Sequence, residues 1–160
     1  MRGWLLFNLA AACHSPEGMD GTSAVATAVV IESLLFSLMH LPSPGGSKLS
    51  SLANIFIGGI AGGVNVLLTG SLGFSLGWHF GWNIFMGNVW GLSTSGIPIS
   101  ATVVSVAPHP EKEARHGGVF GPEGGMMAPI AYAIGIALLY ALYGTGRLGG
   151  LGDAGVFGDA

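Results

Sequence analysis

The sequence predicts an all-α protein, a polytopic bundle of transmembrane helices with about four full spans and a shorter helix at the N-terminus. Two observations support this fold class. Hydrophobic residues make up 50% of the 160-residue chain and charged residues only 8%, whereas an ordinary soluble domain is about 25% charged. In addition, no Asp, Glu, Lys or Arg occurs between Lys48 and Glu111. A soluble domain of this length could not cover its surface with so few polar groups.

The first apolar run, Trp4–Ala12, is short and follows a single basic residue, Arg2. A cleavable signal peptide would have a more basic start and an uninterrupted apolar core, and Asn8 interrupts this run. We therefore interpret the run as a helix of the bundle.

Four longer segments approach the length of about 20 apolar residues that a membrane span requires. They are Thr22–Leu41, Ser51–Thr69, Leu72–Leu92 and Met126–Tyr143. Only Gly70 and Ser71 separate the second segment from the third, which predicts a tight antiparallel hairpin. Residues 93–125 are expected to form a long loop. The domain is predicted to comprise residues 1–143, followed by a glycine-rich flexible tail over residues 144–160.

The charge and the cysteine content argue against nucleic-acid binding and exclude an intrachain disulfide. The formal net charge is −3 and the pI about 5.9, and without a basic stripe the chain is not expected to bind nucleic acid. The single cysteine, Cys13, cannot form an intrachain disulfide. The expected surroundings of the chain are the lipid bilayer.

Glycines recur at one-turn spacing within the predicted spans. Such stripes allow close approach of helix backbones in a membrane, so we expect helix contacts there. The stripes are Gly58-x-x-x-Gly62, Gly59-x-x-x-Gly63 and Gly73-x-x-x-Gly77-x-x-x-Gly81. On the third predicted span, His79 and Asn83 project from the side opposite the glycines.

Two histidines in apolar segments are candidates for a functional site. A polar ring in hydrocarbon is unfavourable by several kcal/mol unless it finds partners. His79 and Asn83 are one helical turn apart and can reach the same small ligand, and His40 closes the preceding apolar segment four residues after Phe36. Glu32, a carboxyl within that same segment, is interpreted as a hydrogen-bonding partner of a neighbouring helix.

With these residues the sequence resembles a known family. The pattern FSLMH over Phe36–His40, FIGG over Phe56–Gly59, TGSL over Thr69–Leu72 and then His79-x-x-x-Asn83 is similar to the second and third motifs of the CPBP intramembrane proteases. That family is also called CAAX-prenyl-protease-like or Abi. More loosely, residues 118–129, which begin GVFGPEGG, resemble a loop of some prokaryotic members.

The resemblance implies an intramembrane endopeptidase, in which histidine polarises a water molecule and a glutamate activates it for attack on a peptide bond. It assigns catalytic roles to His40, His79 and Asn83, and a structural or carboxylate-orienting role to Arg2. It also implies that His40 and His79 could bind a divalent metal such as zinc. Catalytic zinc normally has three protein ligands, so such a site would lack its third.

The first motif of the family, Glu-Glu-x-x-x-Arg, is represented here only by its arginine, Arg2. Its two glutamates are expected at codons just upstream of Met1. Because the matched motifs leave this chain without a catalytic carboxylate, we expect the polypeptide as it stands to be inactive or nearly so.

The resemblance further implies a peptide or protein substrate at the membrane and a location in the cell membrane of a prokaryote. Two alternatives remain open at this point. One is a non-catalytic membrane scaffold or immunity-type protein of the same fold. His40 and His79 could also be the axial ligands of a b-type haem in an electron-transfer subunit.

Overall fold

The computed structural model describes residues 3–15 and 18–143, and their regular structure is helical, without β-strands. The predicted all-α class is therefore confirmed. The α-helices are α1 Trp4–Cys13, α2 Gly21–Leu38, α3 Leu49–Thr69, α4 Leu72–Asn83, α5 Glu113–His116 and α6 Met127–Tyr143. A π-helix, Ile84–Val89, continues α4, and 3-10 turns lie at Pro110–Lys112, Gly118–Phe120 and Pro122–Gly124. Arg2 and the predicted tail lie outside the described residues.

Two of the described helices, α2 and α3, are long and apolar enough to cross a membrane. Helix α6 is apolar but has only 17 residues, and α4 gives way to the π-helix after 12. Four full spans therefore stay a prediction. Apolar stripes at one-turn spacing are exposed on α2 and α6, which suits a surface that faces lipid. They are Val30, Leu34 and Leu38 on α2, and Ile130, Ile134, Leu138 and Leu142 on α6.

Helices α2 and α3 pack antiparallel through the glycines of α3. A methyl group at Gly59 would lie 2.8 Å from Ser33 Cβ, and one at Gly63 would lie 3.1 Å from a methyl of Val29. At the other end of the contact, the Ser37 hydroxyl donates to the Leu52 carbonyl at 2.7 Å. The close packing predicted for these glycines is confirmed.

Helix α1 covers the opposite end of α2. Its residues Leu6 and Ala10 are buried against Val25 and Val29 of α2 and Val66 of α3. The segment is thus an integral part of the helical core, as predicted.

The hairpin between α3 and α4 is as tight as predicted. Gly70 ends α3 with a φ of 64°, a left-handed conformation that favours glycine, and Ser71 caps α4 by accepting a hydrogen bond from the Phe74 amide. The Ser75 hydroxyl then donates to the Gly62 carbonyl at 2.9 Å and joins the two helices.

The glycine stripe of α4 does not pack as predicted. All three glycines are exposed, and a methyl group at Gly77 or Gly81 would have no described neighbour within 4 Å. The physical reason is that α4 uses its other sides for contact: Ser75 faces α3, and the Trp78 ring fills the space beside Gly135 of α6. The prediction of a helix contact at this stripe is therefore wrong for the described residues.

The segment between the π-helix and α6 folds back onto the start of α3. Lys48 forms an ion pair with Glu113, and the Asn54 side-chain amide donates to the Gly125 carbonyl at 2.8 Å. The chain therefore reaches α6 through a loop held against α3, and this loop closes one side of the site described below.

Candidate active site

His79 and Asn83 are hydrogen-bonded to each other on α4. The Asn83 Nδ2 atom lies 3.3 Å from His79 Nε2. Because an amide nitrogen only donates, Nε2 accepts, and the proton of the neutral imidazole lies on Nδ1. The π-helix begins directly after Asn83, and π-helical turns occur frequently at functional sites. The pair predicted from the sequence is therefore a geometric unit.

His40 lies just beyond the end of α2, in the turn that follows it. Its Nδ1 donates to the Phe36 carbonyl at 2.7 Å, and the last carbonyls of a helix otherwise lack a helical partner. The imidazole thus caps α2 through Nδ1, and this hydrogen bond does not involve its second nitrogen, Nε2.

The ring of Phe36 connects the two histidines. Its centroid lies 4.8 Å from that of His40 and 6.0 Å from that of His79, and both contacts are edge-on. The structure therefore brings His40, His79 and Asn83 into one region, whereas Arg2, the fourth predicted site residue, is outside the described residues.

A narrow cavity of about 20 Å³ adjoins His79. A water molecule needs about 10–15 Å³ of such space, so this cavity has room for one. Three helices and the loop before α6 contribute side chains to its wall. These are Phe36 of α2, Ile55 of α3, Tyr132 of α6 and Glu123 of the loop.

Two buried polar groups in this region have incomplete hydrogen bonding, and one of them, on Trp82, lines the cavity. The Trp82 ring lines it and lies 5.4 Å from that of Tyr132. The indole Nε1 of Trp82 and the Oδ1 of Asn83 are both buried and have no hydrogen-bond partner among the described residues. Such groups are unfavourable in a purely structural core, so they favour a site that takes up a polar molecule.

Glu123 is a site residue that the sequence reasoning missed. Its carboxylate is only 2% exposed and lines the same cavity as His79. Oε2 accepts from the Ser95 amide at 2.8 Å and from the Ser95 hydroxyl at 2.6 Å. The sequence does contain one signal for Glu123, because it is the only charged residue in the glycine-rich segment of residues 117–125.

Glu32, the other buried carboxyl, lies on α2 one turn before Phe36 and is fully buried. It does not line the cavity beside His79. The interpretation of Glu32 as a hydrogen-bonding partner of a neighbouring helix stays a prediction.

The described residues do not fit a three-ligand zinc site. No group of three His, Cys, Asp or Glu side chains in the described part of the chain is arranged to hold a metal ion. In addition, the Nε2 of His79 is engaged by Asn83. The metal predicted at His40 and His79 stays a prediction.

A second, wider cavity opens on the far side of the Glu123 loop. It has a volume of about 480 Å³ and is lined by Lys48, Asn54, Glu113 and Gly124 among others. The hydrogen bond from Lys48, together with the attraction of its charge, lowers the pKa of Glu113 below the ordinary value for glutamate. Because Glu123 lines the narrow cavity and the next residue, Gly124, lines the wide one, the loop is the wall between them.

Comparison with known proteins agrees with the motifs. A family model described as type II CAAX prenyl endopeptidase Rce1-like matches residues 1–85, which is more than half of the chain. The match contains His40, His79 and Asn83 and ends before Ser95 and Glu123. No curated protein and no solved structure matches the chain. The resemblance inferred from the sequence is confirmed, and the chain belongs to the Rce1-like family of type II CAAX prenyl endopeptidases.

Proposed function

We propose that this chain is an intramembrane endopeptidase of the CAAX-prenyl-protease type, which hydrolyses a peptide bond with a water molecule held beside His79. The observation that carries the proposal is the His79–Asn83 hydrogen bond at the edge of a cavity with room for one water. Family membership supports both proteolysis and a location in the membrane.

In this proposal His79 polarises the water, and Asn83 fixes the imidazole. Because Nε2 accepts from Asn83 and Nδ1 carries the proton, His79 can offer the water its Nδ1–H group, which donates to the water oxygen and orients the molecule. The Asn83 amide is a neutral donor that can stabilise negative charge on the carbonyl oxygen. His40 acts through the Phe36 ring, which it holds against His79 by its contact and by its cap on α2.

The expected substrate is a peptide or protein at the membrane, in keeping with the name of the family. We place the chain in the cell membrane of a prokaryote.

The experiment is peptide cleavage by the purified full chain in lipid nanodiscs. A farnesylated CaaX peptide is the probe, and mass spectrometry identifies the product. The proposal predicts cleavage by the wild type, where the matched motifs alone predict little or none, and loss of that cleavage in His79→Ala. His109→Ala is the matched control, since His109 is an exposed histidine in the loop. An inert wild type would contradict the proposal and favour the non-catalytic scaffold. Cleavage that survives His79→Ala would also contradict the proposal, because His79 would then not be needed for the reaction.

The structure does not favour the haem alternative. The cavity beside His79 is far too small for a porphyrin, and Nε2 of His79, which would have to be an axial ligand, is engaged by Asn83. A Soret band in the purified protein would revive that alternative.

A further inference from the structure

The wide cavity lies at the level where α3 enters the membrane. Lys48 directly precedes α3, and both Lys48 and its ion-pair partner Glu113 line the cavity. No charged residue occurs between Lys48 and Glu111, and charged side chains are unfavourable within hydrocarbon. The ion pair therefore marks the boundary between membrane and water, which is the depth of lipid headgroups. Both of its side chains are half-exposed, so each can reach a further group.

The part of the cavity formed by the start of α3 offers donors to an anion. The helix begins without a side-chain cap, so its first amides lack a helical partner and favour negative charge. Lys48 and Ser50 of this turn line the cavity. Ser51 Oγ is buried without a hydrogen-bond partner among the described residues, and it would lie 3.0 Å from a methyl group at Gly124 in the cavity wall. Such a set of donors suits a phosphate group.

The other polar groups of the cavity are acceptors, which suit a cation. Glu113 uses Oε1 in its ion pair with Lys48, and that contact does not involve Oε2. Asn54 donates through Nδ2 to the Gly125 carbonyl, and that bond does not involve Oδ1. An anion alone would meet the charge of Glu113, and a cation alone would meet the charge of Lys48. A zwitterion complements both charges.

An apolar stripe on α6 begins at the cavity. Met126 lines the cavity, and the exposed side chains that follow it at one-turn spacing are Ile130, Ile134, Leu138 and Leu142. Asn54 contacts Gly125, and Gly58 lies against Tyr132, so α6 leaves the boundary in the same direction as α3. The stripe is about 18 Å long, and one leaflet of hydrocarbon is about 15 Å thick. An acyl chain whose headgroup lies in the cavity can therefore follow this stripe.

We propose that the wide cavity binds the headgroup of a zwitterionic phospholipid with a primary amine, with one acyl chain along the stripe of α6. The phosphate accepts from Lys48 and Ser50, and the ammonium donates to Glu113. A primary ammonium has N–H groups to donate, whereas the quaternary ammonium of choline has none, so the site distinguishes ethanolamine from choline. The proposal concerns binding alone and does not rest on peptide cleavage.

The experiment is native mass spectrometry of the purified full chain in detergent with added lipid. The probes are the dioleoyl forms of phosphatidylethanolamine, phosphatidylcholine and phosphatidylglycerol, each titrated separately. We expect one phosphatidylethanolamine per chain, bound at least about 10-fold more tightly than either of the others, because each of them loses a charge-assisted hydrogen bond. Equal binding of the three lipids, a preference for either of the others, or no bound lipid would overturn the proposal.

A double charge swap separates a lipid site from a merely structural ion pair. Lys48→Glu combined with Glu113→Lys keeps the pair but exchanges the places of its charges. From the acyl chains outward the phosphate always precedes the ammonium, so the swap sets each lipid charge beside a like charge. We expect binding to fall by about 10-fold or more at an unchanged unfolding temperature. The matched control is Glu111→Lys with Lys112→Glu, an exposed pair outside the cavity, which should bind like the wild type.

If the swap of Lys48 and Glu113 binds phosphatidylethanolamine like the wild type, the ion pair is structural and the proposal fails. Two competitors then identify the source of the bound chemistry. O-phosphoethanolamine has both charges but no acyl chain, and equal competition by it would assign the cavity to a soluble zwitterion instead of a lipid. Displacement of the lipid by the farnesylated CaaX peptide would assign the cavity to the peptide. We expect neither to displace the lipid at an equal concentration. An inert chain in the cleavage assay would overturn the proposed function and leave this binding result unchanged.

Discussion

The ring of Phe36 lies edge-on to the imidazole of His79, with the two centroids 6.0 Å apart and the planes at 77°. The same ring meets His40 at 4.8 Å. One aromatic side chain thus links the histidine that ends the α2 region to the histidine in the middle of α4. In the sequence Phe36 begins the pattern FSLMH, which ends at His40. In the structure its ring contacts both His40 of that pattern and His79 of the His79-x-x-x-Asn83 pattern.

Phe36→Leu should therefore weaken both the site and the fold. Leucine keeps an apolar side chain but loses two edge-on contacts, each with a value of about 0.5–1.5 kcal/mol. We expect a lower unfolding temperature and slower peptide cleavage. Phe80→Leu is the control, because Phe80 is 67% exposed on the same helix as His79. Equal behaviour of the two variants would show that the Phe36 ring contributes nothing specific.

The glycines of α3 and α4 should respond in opposite ways to alanine. A methyl group at Gly59 would lie 2.8 Å from Ser33 Cβ and 2.9 Å from Ser33 Cα, so Gly59→Ala should destabilise the α2–α3 contact by about 1–3 kcal/mol. Gly77 has open space around it, and alanine there gains about 0.5–1 kcal/mol of helix propensity. Thermal unfolding in detergent measures both. A stable Gly59→Ala variant would contradict the packing described for α2 and α3.

The contrast between these glycines shows what the sequence can and cannot predict. Periodicity and composition are local properties, and they predicted the helical class, the α3–α4 hairpin and the His79–Asn83 pair. Which face of α4 meets another helix depends on residues far away in the sequence, such as Gly135 beneath Trp78. The sequence therefore could not show that Gly77 and Gly81 remain exposed.

The same reason explains why Glu123 was missed. Its approach to His79 depends on the path of the loop over residues 93–125, and that path depends on contacts such as those from Ser95 to Glu123 and from Asn54 to Gly125. No repeat or spacing in the sequence encodes them. The π-helix after Asn83 was missed because its residues have the same apolar character as an ordinary helix.

Asn83→Asp tests the tautomer of His79. A carboxylate oxygen can only accept a hydrogen bond, so it would favour a proton on Nε2 of His79. The neutral imidazole would then no longer favour the tautomer with its proton on Nδ1. We expect cleavage to fall by about 10²-fold or more, as for the loss of a donor to an oxyanion, while the protein stays folded. Asn88→Asp, at an exposed asparagine after the same helix, should remain active. An active Asn83→Asp variant would show that donation by Asn83 is not required.

Removal of metal should leave the cleavage rate unchanged. The Nε2 of His79 is engaged by Asn83, and the described residues provide no third ligand, whereas catalytic zinc normally has three. Incubation with 1,10-phenanthroline, followed by cleavage of the farnesylated peptide, makes the measurement. Loss of activity that zinc restores would support instead the metal implied by the family resemblance.

Asp20 should make the stability of α2 depend on pH. Its carboxylate accepts from the amide and the hydroxyl of Ser23 at the start of the helix. The bond from the Ser23 amide is the main cause that lowers the pKa of Asp20 below its ordinary value of 3.8. A carboxyl with a lowered pKa stabilises the folded state at pH values above the ordinary pKa, and this contribution is lost as the pH falls through the lowered one.

Asp20→Asn isolates this effect, since asparagine is also a good helix cap but carries no charge. We expect the wild type to unfold at a higher temperature than Asp20→Asn at about pH 6, and the difference to shrink as the pH approaches about 3. Asp20→Ala, which removes the cap, should be the least stable of the three at the higher pH. Unfolding curves in one detergent over that pH range make the comparison. A difference between wild type and Asp20→Asn that does not change with pH would show that the charge of Asp20 contributes nothing to the start of α2.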